Sequence, residues 1–249
     1  EGRRAPAGAD AGPPERVTPG ARQRPPRPAR PPEDGAAHGP KGATVILQMD
    51  GQYPSPYRIE RVVTFLEDDG VIAMPTDTSY SLACLPDHKV AVNKLMALRR
   101  LDPKKPLALV FRDLRHVSEY AMVDDQAYRI LKRYLPGPYC FILEANRNLP
   151  RFIGDKRKRI GVRVPDHGVP QAIIEAVGKP LIVTSAIDPD DGVECHDPWT
   201  VENIFGHGLS AVLDAGNVPA GMSTIVDLTC EPHAVVRVGL GDASEFEQD

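Results

Sequence analysis

The stretch "VIAMPTDTSYSLACLP", residues 71–86, decides how the rest of the chain is read. Val71 to Met74 is uninterrupted in its apolarity, the pattern of a short strand covered on both faces. Pro75 ends the run, and Thr76, Thr78 and Tyr80 follow at every second position. In an extended segment such positions share a face. They then form a polar strip beyond a buried strand end, where open α/β sheets hold their ligands. The alternative is a turn whose hydroxyls satisfy backbone groups. Spacing alone leaves both readings open.

Working outward, "TVILQM" (44–49) reads as a strand, and "SPYRIERVVTFLEDDG" (55–70) places Ile59, Val62, Val63 and Leu66 at helical spacing. That helix is expected to stop at Gly70 in a left-handed cap. A helix is predicted from His88 to Arg100 with Asp87 as its N-cap, then the strand "LALVF", a short helix near Leu114 and a longer one from Asp124 to Leu135. The strands "YCFIL" and "IGVRV", the helix "VPQAIIEAVG", the strand "PLIVTSA" and the helix "PWTVENIF" come next, and "AVLDA", "TIVDLT" and "AVVRVG" complete the sheet. The last strands leave no room for crossover helices. The fold class is therefore α/β, a twisted mixed parallel/antiparallel sheet with flanking helices.

Three regions are expected. Residues 1–43 contain 10 of the 26 prolines and almost no large apolar side chain, so they read as a disordered Pro/Arg-rich tail. Residues 44–241 form the domain, and 242–249 an acidic C-terminal tail. No stretch has the length of a membrane span. The four cysteines, Cys84, Cys140, Cys195 and Cys230, are widely spaced and form no C-x-x-C pair, which predicts reduced thiols in a cytoplasmic protein. Cys195-His196 suggests a nucleophile or metal ligand only weakly, because adjacent side chains in an extended loop diverge.

The net charge of −4 hides an asymmetry. Residues 99–163 hold 16 Lys+Arg against 7 Asp+Glu, a surplus of 9; from Pro165 onward the count is 2 against 15, a deficit of 13. A polyanion or phosphorylated ligand suits such a block, although charges scattered over solvated faces give the same totals. Arg99, Arg100, Lys104 and Lys105 fall between a helix end and a strand, where cations can hold phosphates.

Taken in order, "PTDTSYSL", "PGPYC", Arg163-Val164-Pro165 and the run Ser223 to Asp227 resemble the motifs of the YrdC-like family, the threonylcarbamoyl-adenylate synthases and their YciO relatives. The resemblance spans about Pro54 to Gly239. It implies a twisted sheet with a cationic concave face. It further implies a nucleotidyltransferase reaction joining L-threonine, bicarbonate and ATP, with Mg²⁺, into threonylcarbamoyl-AMP for modification of tRNA adenosine 37. On that resemblance Thr76, Thr78, Tyr80 and Arg163 would hold the amino acid and carboxylate or phosphate oxygens. Arg99, Arg100, Lys105, Ser185, Ser223 and Arg237 would hold the nucleotide. No protein metal ligand is assigned.

The chain departs from the synthase pattern at four places. Where the synthases carry a Lys-x-Arg pair it reads Arg99-Arg100-Leu101, and their Ser-x-Asn becomes Ser185-Ala186-Ile187. Ser81 replaces the glycine after the tyrosine, and Cys140 the threonine after "PGP". These changes resemble the YciO branch. Two functions follow: a synthase of threonylcarbamoyl-AMP with weakened or altered activity, or a non-catalytic module binding tRNA or double-stranded RNA through the cationic block.

Overall fold

The computed structural model describes residues 44–102, 107–150, 153 and 159–246. The first half of this domain contains β1 (Val45–Gln48), α1 (Pro56–Glu67), β2 (Ile72–Met74), β3 (Ser81–Cys84), α2 (Lys89–Leu98), β4 (Ala108–Val110), α3 (Val117–Tyr120) and α4 (Asp125–Tyr134). The second contains β5 (Tyr139–Glu144), β6 (Arg159–Arg163), α5 (Gly168–Val177), β7 (Leu181–Ser185), α6 (Pro198–Phe205), β8 (Ala211–Asp214), β9 (Thr224–Asp227) and β10 (Ala234–Arg237). All the strands join one sheet in the order β1-β8-β2-β3-β7-β4-β6-β5-β9-β10. β8 lies parallel to both β1 and β2, β4 parallel to β6 and β5 parallel to β9; the remaining neighbours are antiparallel. The mixed sheet is the one expected from the order of elements.

Strand alternation assigns the two faces. Ile72 and Met74 join Ile59, Val62 and Leu66 of α1 and Val169 and Ile173 of α5 in one apolar cluster. Val71 and Ala73 join the opposite cluster with Val92 and Leu95 of α2, Leu131 of α4 and Phe205 of α6. Each of these four strand residues is fully buried. The expected covering of both faces is therefore met, and it accounts for the unbroken apolar run.

Several local expectations are corrected. Asp69, not Gly70, takes the left-handed conformation after α1, with φ 56°. Gly70 serves a different need: a Cβ there would stand 2.2 Å from the Phe65 carbonyl oxygen. Gly178 does take the left-handed cap of α5, with φ 73°. Asp87 does not cap α2; His88 occupies that position without a side-chain bond to the helix N-terminus, its ring pairing with Asp69 at 2.9 Å, and the Asp87 carboxylate accepts from Lys179 Nζ at 2.7 Å. Asp124, read as the first residue of the longer helix, is the N-cap of α4 and accepts from the Ala127 N–H at 2.7 Å.

The C-terminal residues do not separate at 241. Ala243 and Phe246 are buried, and the Phe246 ring lies 5.2 Å from that of Tyr134. The proposed tail 1–43 and residues 247–249 lie outside the described residues. No helix among the described residues is long and apolar enough to cross a membrane.

Candidate functional site

β2 and β3 form a hairpin in which Met74 faces Ser81, so Pro75 to Tyr80 is its loop rather than an extended strip. Within that loop Thr76 Oγ1 accepts from the Thr78 and Ser79 N–H groups and donates to the Ser79 carbonyl at 2.6 Å. The Thr76 and Thr78 hydroxyls lie 3.1 Å apart. The turn reading of this segment is therefore the correct one for Thr76. Tyr80 departs from the pair: its ring belongs to the core and its hydroxyl donates to the Gly216 carbonyl at 2.9 Å. Burial raises its phenol far above the ordinary range.

The same register builds a cavity further along the sheet. Ala108 pairs with Gly161 and Val183, Ile142 with Gly161, Cys140 with Ile225, and Ser81 with Ser185. Paired residues share a face, and all of these line one cavity of about 270 Å³. Their neighbours Leu109, Phe141, Val162, Ile182 and Val226 point the other way into the core. Val183 and Ala108 also adjoin the cluster under α1 and α5, which places the cavity on that face of the sheet. The floor is low because its residues are small. A Cβ on Gly161 would meet Cys140 Sγ at 2.9 Å and Ala108 Cβ at 3.0 Å.

Three guanidiniums reach this floor from separate elements, and among the described residues no acidic one lines it. Arg99 follows the last turn of α2, and Nε donates to the Ser185 carbonyl at 2.7 Å while a terminal nitrogen donates to that of Ile187. The helix end is thereby fastened to the end of β7. Burial lowers the Arg99 value, while Cys195 and Asp188 oppose the shift; an arginine remains charged.

Arg163, the last residue of β6, donates to Asp77 Oδ1 at 2.8 Å and Thr78 Oγ1 at 3.2 Å. The hairpin loop thus supports the guanidinium from behind the floor. Arg237 donates to the Ser223 carbonyl from Nε and a terminal nitrogen, at 3.1 and 2.8 Å, and to Ser223 Oγ at 3.2 Å. Its value is lowered chiefly by burial; Cys140 and Glu194 oppose this, and Arg163 adds to it.

A register shift between Val235 and Arg237 explains how β10 contributes. In a regular strand consecutive side chains face opposite ways, yet Val236 and Arg237 both line the cavity. The bulge re-aims them. Nothing in "AVVRVG" announces the extra residue.

The cavity thus assembles Arg99, Arg163, Arg237, Ser185 and Ser223 from the sequence-predicted set. Thr76, Thr78 and Tyr80 do not line it; Thr78 acts through Arg163 and Tyr80 is core. Arg100 is placed elsewhere: with φ 47° it turns outward and pairs with Asp190 at 2.6 Å on the surface. Lys105 and Lys104 lie outside the described residues. Leu101 and Ile187, the two departures from the synthase pattern, both line the cavity.

Sequence reading missed Ser81, Ala108 and Gly161. Their signal was the small or polar residue recurring within otherwise apolar runs, visible as a floor only after the strands pair. Cys195 lies in the core and its thiol is pushed up to about 12 by burial, while His196 is on the opposite side of the backbone. Among the described residues no group of three or more His, Cys, Asp or Glu is placed to hold a metal ion. The hydroxyl and guanidinium lining fits a magnesium ion carried in by nucleotide phosphates better than one caged by the protein.

Comparison with known proteins agrees with this fold. The family model Sua5_yciO_yrdC, described as telomere recombination, matches residues 64–239. The uncharacterized protein YciO of Escherichia coli K12 is 34% identical over 194 residues, covering 78% of this chain and 94% of its own. Its crystal structure superposes with a TM-score of 0.79, covering 82% of this chain and 100% of that one. A threonylcarbamoyl-AMP synthase of Vibrio vulnificus YJ016 is 29% identical over 159 residues, which covers 62% of this chain and 84% of the synthase. The fold is shared by P. abyssi Sua5, crystallised with L-threonine, at a TM-score of 0.74 and 23% identity over 79% of this chain and 58% of that one.

Proposed function

Because the chain belongs to the Sua5/YciO/YrdC family, we propose that it is an L-threonylcarbamoyladenylate synthase-like enzyme, forming threonylcarbamoyl-AMP from threonine, bicarbonate and ATP for tRNA adenosine-37 modification. The observation that carries this reading is the convergence of Arg99, Arg163 and Arg237 with Ser185 and Ser223 on one cavity that no acid among the described residues lines. The family includes synthases of this kind, and a relative of the same fold takes threonine.

In this reading bicarbonate takes up a proton and releases water to give carbon dioxide, and the threonine amine adds to that carbon dioxide, giving a carbamate and returning the proton. A carbamate oxygen then attacks the α-phosphorus of ATP and pyrophosphate leaves. The reaction asks for little covalent chemistry from the protein, so positioning and charge neutralisation dominate. The three guanidiniums neutralise carboxylate and phosphate oxygens, and Ser185 and Ser223 orient the nucleotide. A magnesium ion accompanying ATP would neutralise the leaving pyrophosphate. Cys140 stays out of the chemistry, since burial raises its thiol and keeps it neutral.

The test is pyrophosphate release from ATP with bicarbonate, with and without threonine. Threonine-dependent release is expected, and Arg237→Gln is expected to lower it about 30-fold, the effect of removing roughly 2 kcal/mol of charged contact. Absence of threonine dependence at high protein concentration refutes the synthase reading. Salt-sensitive tRNA binding without any turnover would favour the non-catalytic reading instead.

A further inference from the structure

One carboxylate beside the cavity has an oxygen that no hydrogen-bond donor among the described residues reaches. Past Ser185 the chain makes an isolated antiparallel bridge between Ile187 and Glu194, and the Cys195 N–H donates to the Ala186 carbonyl at 2.8 Å. Directly opposed residues present their side chains on one face, so Glu194 shares the face of Ile187, which lines the cavity. Cys195, one position on, turns into the core.

The Glu194 side chain is only 9% exposed, and its Oε1 is buried with no hydrogen-bond donor. Oε2 stands 3.9 Å from His196 Nε2, and His196 Nδ1 is also buried without a partner. Asp77 Oδ2 is likewise buried without a partner, but its Oδ1 accepts a close bond from Arg163 at 2.8 Å, a contact neither Glu194 oxygen has; Asp188 Oδ1 accepts from the Asp190 N–H. An unpaired buried carboxylate oxygen is costly and rare in folded proteins, so it calls for a donor. Leu101 and Ile187 supply none at this end. Arg237 feels the Glu194 charge, but its nitrogens donate to Ser223; a phosphate placed here meets a like charge, whereas an ammonium group brings the donor that Oε1 lacks.

We propose that Glu194 is an amine-binding residue at the Ile187 end of the cavity. The cavity then takes a zwitterion, with its anionic group on the guanidinium side and its ammonium group on Glu194. Leu101 and Ile187 make this end apolar enough to strengthen that pairing. The inference deepens the synthase reading and rests on the cavity being its substrate site.

The experiment measures binding of L-threonine and its analogue with hydroxyl in place of the amine, 2,3-dihydroxybutyrate, to the full chain by calorimetry, beside pyrophosphate release in the same preparations. The native chain is expected to prefer the amino acid at least tenfold, a gap of about 1.4 kcal/mol. In Glu194→Gln the preference falls below about twofold, while affinity for inorganic pyrophosphate, a probe of the guanidiniums, does not fall. Glu194→Asp keeps the charge and retains the preference, which separates charge from packing. Equal binding of the two acids by the native chain overturns the inference, as does an undiminished preference in Glu194→Gln or native binding of pyrophosphate but of neither acid. The synthase reading fails separately: threonine preference that depends on Glu194, without threonine-dependent pyrophosphate release, supports the amine subsite and rejects the synthase.

Discussion

Removing the carboxylate of Asp77 is expected to be among the costliest single changes in the domain. The Arg163 and Asp77 side chains are 5% and 10% exposed, and the guanidinium donates to Oδ1 at 2.8 Å. Thr78 is the other acceptor for that nitrogen, while Arg163 Nε and Asp77 Oδ2 are buried without partners. Asp77→Ala therefore leaves a largely dry guanidinium on one hydroxyl, and breaking a buried pair from one side costs about 3–5 kcal/mol. At roughly 2–4 °C per kcal/mol for a domain of this size, the midpoint falls by about 10 °C. Asp77→Ala combined with Arg163→Met removes the stranded charge as well and is expected to recover most of the loss, a coupling of about 2–4 kcal/mol. The assay is urea unfolding followed by circular dichroism, with the slope compared across the cycle to confirm a common transition. A single variant that loses under about 1 kcal/mol, or a double variant whose loss is the sum of the two singles, refutes the buried pair.

The two glycines beside helix ends respond differently. Gly178, left-handed with open space around it, accepts Asn at little cost and Ala at about 1–2 kcal/mol. Gly70, whose Cβ would collide with the Phe65 carbonyl, rejects both, at about 1–3 kcal/mol or more; equal tolerance in thermal melts disproves the distinction. Burial lowers the His167 value below its ordinary 6.5 against the pull of Asp77 and Asp166. Below that pH the unfolded chain takes up a proton that the folded chain resists, so this contribution is present above about 6.5 and is lost as the pH falls. His167→Asn retains an acceptor for the Val169 N–H and is expected to flatten the stability decline between about pH 6.5 and 5. An identical decline in both proteins, measured by unfolding midpoints, contradicts it.

Periodicity and punctuation were sufficient for most of the elements, because a helix or strand declares its buried face every three to four or every two residues. Val71 to Met74 already implied a strand with two covered faces, and Asp124 and Gly178 already marked helix ends. The motifs from Thr76 to Asp227 carried the family. Five of the ten predicted site residues came together at the cavity: Arg99, Arg163, Ser185, Ser223 and Arg237.

What only the tertiary structure decided is which side chains meet. Arg99 and Arg100 are neighbours in sequence, but a left-handed residue sends one to the cavity and the other to Asp190. Thr76 to Tyr80 spell an alternating strip, but the Met74–Ser81 pairing bends them into a loop that braces Arg163. The floor of Ala108, Gly161 and Cys140, the bulge that aims Arg237 and the bridge that sets Glu194 beside Ile187 arise from strand register. Register is a property of pairs of distant segments, and no local pattern of residues contains it.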